Sequence, residues 1–145
     1  MAPPPTLRRS LLVLALTAAL MPAAGPLAGA ATPTIRLDDL SQRPSVRPAT
    51  FQVTTTVALG GLHWSHWGAP TATGSGTLRI NTCRPNCATG RIRVLHGALL
   101  QVRGVRIDRD QRYYRQYRIL DRAFTPSERA TYTRWTDAYV PSDFR

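Results

Sequence analysis

The sequence predicts an all-β protein: a small antiparallel β-sandwich or barrel of about six strands, with a short helical turn near the C-terminus. Three observations lead there. Apolar residues recur at every second position in several runs, β-branched residues are common in those runs, and glycine, proline and asparagine punctuate them at short intervals.

The first thirty residues have the form of an export signal. Arg8 and Arg9 precede an apolar run from Leu11 to Leu20, and small residues lead to Leu27-Ala28-Gly29-Ala30. That run is about ten residues, half of the roughly twenty that a spanning helix needs, so residues 1–30 are expected to be a cleaved signal rather than an anchor. No later segment is apolar for long enough to span a membrane. Arg8-Arg9-Ser10-Leu11-Leu12 also fits the loose twin-arginine form, which leaves both export routes open. Cleavage after Ala30 leaves 115 of the 145 residues, a secreted, extracellular chain of ordinary single-domain size.

All 19 basic residues are arginine and lysine is absent, a bias that first describes a high-GC coding sequence. Without Arg8 and Arg9 there remain 17 arginines against 8 acids, a formal charge of +9. Such a surface is attracted to anionic partners, among them wall polymers, acidic phospholipid headgroups and nucleic acid bound without sequence preference.

Residues 31–48 carry Pro33, Pro44 and Pro48 with sparse apolar residues, and read as an extended, partly disordered lead-in to a β-domain over 49–145. Phe51, Val53, Thr55, Val57 and Leu59 alternate with polar or small residues and form the first strand. Gly60-Gly61 is expected to break it, with Leu62 to Trp67 returning as a hairpin arm. In the next strand Ala72, Gly74, Gly76, Leu78 and Ile80 share an inward face, where the two glycines leave room for a bulky group such as Trp64 or Trp67. Ile92, Val94, His96, Ala98, Leu100 and Val102 share a face of a central strand. Tyr113 to Leu120 is a further strand, whose Tyr113-Tyr114 step exposes one ring unless both sides are covered. Thr125-Pro126-Ser127-Glu128 is a helix-start pattern, but Thr131 to Trp135 favour strand, so one helical turn followed by a strand to Val140 is expected.

Arginines 103, 106, 109, 112, 115 and 118 recur at a spacing of three, which suits neither regular structure as a one-sided stripe. The favoured reading is a solvated hairpin with its tip near Asp108-Arg109-Asp110-Gln111, its arginines partly matched by those acids. The competing reading is an anion-binding surface of Arg84, Arg103, Arg106, Arg109 and Arg112.

Cys83-Arg84-Pro85-Asn86-Cys87 is the strongest chemical feature. Two cysteines in an exported chain normally oxidise, and a Pro-Asn turn can bring them together, so a structural disulfide is expected. The weaker alternative adds His63 and His66 to the cysteines as a tetrahedral zinc set. A period-two strand would put those histidines on opposite faces, so no metal and no cofactor is expected. Ser65 between the same histidines is the sole nucleophile cluster, without a Gly-x-Ser-x-Gly elbow. The acids offer no obvious glycosidase pair, since Asp38 and Asp39 fall in the lead-in and Asp108 and Asp110 in a loop. Exposed aromatic residues stacking on sugar rings are less expected than aromatic residues packed in the core.

Trp64-x2-Trp67-Gly68, then Ala72-x-Gly74-x-Gly76, then Asn81-x-Cys83-x-Pro85-x-Cys87-Ala88-x-Gly90 resembles a pattern shared by an uncharacterised family of small secreted proteins of high-GC Gram-positive bacteria. The resemblance covers about residues 50–120, carries over no catalytic residues, and implies a small β-domain with a local disulfide. The functional expectation is a secreted non-catalytic domain that binds anionic cell-envelope material or a protein partner through its arginines. A small inhibitor or effector that presents the Cys83 to Cys87 loop is the alternative, and a wall-active or other hydrolase the third reading.

Overall fold

The computed structural model describes residues 34–144, and the expected export signal at 1–30 lies outside them. The architecture is all-β. The strands are β1 (Ile35–Arg36), β2 (Phe51–Thr54), β3 (Val57–Ser65), β4 (Thr71–Asn81), β5 (Ile92–Asp108), β6 (Gln111–Leu120) and β7 (Thr136–Asp137). They form one curled mixed sheet, a half-barrel, in the order β1-β6-β5-β4-β3-β2, with β7 also on β6. From β2 to β6 it is an antiparallel meander, and β1 joins β6 in parallel.

The inward face of β4 is as the period predicts: Ala72 and Leu78 are fully buried and Gly74 and Ile80 nearly so. They join Leu59, Leu100, Val102 and Ile119 in one core. Phe51 of edge strand β2 meets Tyr117 of β6 edge to face, with ring centroids 4.9 Å apart, so curling brings distant strands into contact.

Residues 34–48 differ from the expected lead-in: they belong to the domain and connect the sheet's two edges. Ile35 and Leu37 enter the core. Ile35–Arg36 lies along β6, Leu37 bridges Ser45, and Asp38 bridges Tyr139. On the other side, the Asp39 carboxylate accepts the backbone N–H of Gln52 in β2, and the Leu40 N–H donates to the Gln52 carbonyl. Two apolar positions suffice because neighbouring strands supply the remaining contacts, which spacing within this segment cannot reveal.

Alternation misplaces elements in two regions. The expected strand 51–59 is interrupted at Thr55–Thr56, where β2 turns into β3, whereas Gly60-Gly61 forms an irregularity inside β3. In β5 the register passes from Gly76↔Ala98 to Thr77↔His96, leaving Gly97, at φ +76°, unpaired. One extra residue exchanges the two faces of a strand. Leu95 therefore faces inward while Ile92, Val94 and His96 are exposed, contrary to the single face expected for 92–102.

At the C-terminus the helix start holds. Thr125 and Glu128 form a reciprocal capping box, and α1 spans Pro126–Tyr132. The helix continues through Thr131 and Tyr132, and the strand expected there shrinks to Thr136–Asp137. Arg93 of β5 pairs with Glu128 and donates to the Ala123 carbonyl, fastening the helix start to the sheet. Burial works against the Glu128 carboxylate, but the bonds from Arg93 and Thr125 outweigh it and hold its pKa below the ordinary value. Tyr113 and Tyr114 are both buried, because β6 is covered on both sides.

Candidate functional site

The β5–β6 hairpin carries most of the candidate arginines. Arg109 and Asp110 both take positive φ, 46° and 62°, a two-residue reversal suited to the twist of a hairpin. Pairing between β4 and β5 ends at Thr71↔Arg103, so residues 105–108 pair only with β6 and form an arm beyond the rest of the sheet. Gly104 lies at the root of that arm with φ +69°.

Below the root, Arg103 and Arg118 converge on one indole. Their guanidinium carbons lie 4.0 and 4.5 Å from the Trp135 ring centroid. Arg103 Nε donates to Gln116 Oε1 and Arg118 Nε to Gln101 Oε1, which orients both groups. Sequence reasoning missed this support. Trp135 read only as a strand former, and its place over two arginines depends on β7 pairing with β6.

Arg106, Arg109 and Arg112 are exposed, but the expected matching with Asp108 and Asp110 does not form. Asp108 instead accepts the Ser142 backbone N–H. The ion pair at this end is Arg115–Asp143 at 2.6 Å. Burial opposes the Asp143 carboxylate, yet the Val140 N–H and the Arg115 and Arg106 charges hold its pKa below the ordinary value. Among the described residues, Arg93 and Arg115 are the arginines engaged in ion pairs.

Arg84, the fifth candidate, is not in this group. It sits in the β4–β5 connection, where the Cys83–Cys87 disulfide is formed with Cα atoms 3.8 Å apart. Asn81 organises that loop: its Oδ1 accepts the Cys83 N–H at 2.9 Å and its Nδ2 donates to the Cys87 carbonyl at 2.8 Å. Gly90 closes the base, where a Cβ would stand 2.2 Å from Asn81 Oδ1. The Asn, Cys and Gly positions of the sequence pattern are thus parts of one local fold, with Arg84, Pro85 and Asn86 on its exposed rim.

The tryptophan half of the pattern is structural in a less expected way. Trp64 covers Gly74, where a Cβ would meet ring carbons at 3.1 Å, whereas Gly76 lies against the Gly60 carbonyl and Leu62. Both indoles hold the N-terminal segment: Trp64 Nε1 donates to the Pro48 carbonyl at 2.8 Å and Trp67 Nε1 to the Ile35 carbonyl at 3.1 Å. Trp67 also packs on Tyr114, whose hydroxyl accepts the Gly68 N–H and donates to the Ala69 carbonyl. Burial raises the Tyr114 phenol pKa against the opposing effect of that Gly68 bond.

The zinc and nucleophile constellations do not assemble. The disulfide takes both sulfurs, His63 and His66 are exposed, and no metal-holding cluster of three or more ligands occurs among the described residues. Ser65 donates to the Thr73 carbonyl rather than to a histidine. Among the described residues, Asp38 and Asp39, read as lead-in acids, are the buried charged ones. Asp39 accepts from Ser41 and Gln52, and is committed to holding the segment. Burial, then the charges of Asp39 and Asp143, raise the Asp38 pKa despite the Asp39 backbone N–H.

No helix among the described residues is long and apolar enough to cross a membrane. No protein-family model matches the chain, and no curated protein or solved structure matches it either.

Proposed function

We propose that this is a secreted, non-catalytic β-domain that binds anionic cell-envelope material through the arginine-rich β5–β6 hairpin. The observation that carries the reading is the state of those arginines. Arg103 and Arg118 are oriented by Trp135 and by two glutamine acceptors at Nε, and neither is engaged in an ion pair among the described residues. A guanidinium fork so held loses less freedom when it grips a carboxylate or phosphate. Arg106, Arg109 and Arg112 extend the positive surface to the tip.

Cosedimentation with isolated cell walls tests this. Binding should weaken steeply with salt, because exposed pairs are screened beyond about 8–10 Å at physiological ionic strength. Each exposed pair contributes up to about 1 kcal/mol, so the double variant Arg103→Gln, Arg118→Gln should bind about tenfold more weakly at low salt. Arg84→Ala, on the disulfide loop, should leave binding unchanged. Salt-independent binding, or loss with Arg84→Ala alone, would move the reading to a protein partner recognised by that loop.

A further inference from the structure

The hairpin arm carries more than charge. Ile107 is 66% exposed, the most exposed of the large apolar side chains, and Val105, two positions earlier on the same strand, is 44% exposed. Residues two apart share a strand face, so the two form one apolar spot near the tip. Ile107 is registered opposite Arg112 and shares its face, Arg109 lies in the turn and Arg103 just below the root, while Arg106 alternates to the other face. The arm is also backed on one side. Asp108 accepts the Ser142 N–H, and Tyr113, registered opposite Arg106, is 3% exposed.

A soluble polyanion would engage the arginines and gain nothing from two exposed aliphatic side chains. An anionic bilayer meets both features: phosphates attract the guanidinium groups, while the boundary between headgroups and acyl chains accepts the apolar spot. We infer that Val105 and Ile107 seat the arm in the surface of an anionic phospholipid bilayer, with Arg103, Arg109 and Arg112 on its phosphates. This rests on the proposed anionic binding and commits it to a lipid surface. Two aliphatic side chains give a weak, reversible attachment that depends on the charges.

The test is sedimentation of the protein with phosphatidylglycerol/phosphatidylcholine vesicles, with pure phosphatidylcholine vesicles and soluble dextran sulfate as parallel arms. Binding to the anionic vesicles and none to phosphatidylcholine are expected. Ile107→Ser and Val105→Ser together should weaken vesicle binding about tenfold while leaving dextran sulfate affinity unchanged. Both positions are exposed, and an unaltered circular dichroism spectrum verifies that the variant folds. Equal vesicle affinity of variant and parent overturns insertion. Dextran sulfate binding without vesicle binding overturns the lipid commitment and leaves the anionic reading standing, whereas binding to neither removes both. A dimer in gel filtration that the double variant converts to a monomer reassigns the spot to contact between copies and also overturns the inference.

Discussion

The two ends of the half-barrel are held by different means. The β4–β5 loop at one end closes on itself: its disulfide spans four residues, and the Asn81 side chain bonds to positions two and six residues away. The β5–β6 arm at the other end depends on remote groups. Gly68 meets Tyr114 across 46 residues, Ser142 meets Asp108 across 34, and Arg115 meets Asp143 across 28. A locally closed loop needs no partner to define its shape. The arm receives its shape from the fold, and most of its arginines are left outside ion pairs.

Substitution of Gly90 should give the largest effect. A Cβ there would come within 2.2 Å of Asn81 Oδ1, 2.7 Å of the Asn86 carbonyl and 2.9 Å of the Cys83 nitrogen. Two of these are backbone atoms of a disulfide-closed loop with little room to yield, so Gly90→Ala should cost about 2–3 kcal/mol in urea denaturation. A loss under about 0.5 kcal/mol would show the loop to be slack.

At the arm the corresponding test isolates backbone conformation. Gly104 has φ +69° and nothing closer than 4.0 Å to a added Cβ, so Gly104→Ala meets no obstacle but the left-handed region. About 1 kcal/mol is expected from the same denaturation. A cost matching that at Gly90 would mean that the arm, too, is closely packed at its root.

Acid should separate the ends in the smallest of the three effects. The Asp143 pKa is depressed in the folded state, so its contribution is fully present above the ordinary value of 3.8 and is lost as pH falls through the lower folded value. The loop's cysteines do not titrate. Between pH 5 and pH 2 the parent should therefore lose more stability than Asp143→Asn, whose remaining acid response comes from other carboxylates. Parallel curves for the two proteins would remove Asp143 from the account.

How much of this was legible in the chain follows the same division. The Cys83–Cys87 disulfide could be read because its determinants lie within a few residues of one another. The β4 face could be read because strand alternation is a local rule, and it held where pairing stayed regular. At Gly97 the same rule failed, since a single unpaired residue exchanges the faces and no residue type announces which glycine will do so. A tryptophan, Trp64 or Trp67, was expected over Gly74 and Gly76, and Trp64 does cover Gly74, but the bonds from both indoles to Pro48 and Ile35 were not anticipated. An indole N–H declares a need for an acceptor without naming it.

By itself, then, the sequence determined the all-β class, the rough strand positions, the helix start at Thr125 and the closure of the disulfide loop, because period, capping and short-range covalent geometry act over a few residues. The joining of the two sheet edges by residues 34–48, the service of Asp39 to β2 and the support of Arg103 and Arg118 by Trp135 came from the folded chain. Those arrangements arise when a curled sheet brings together segments far apart in the chain, and the energy that selects them lies in contacts between elements rather than within any one of them.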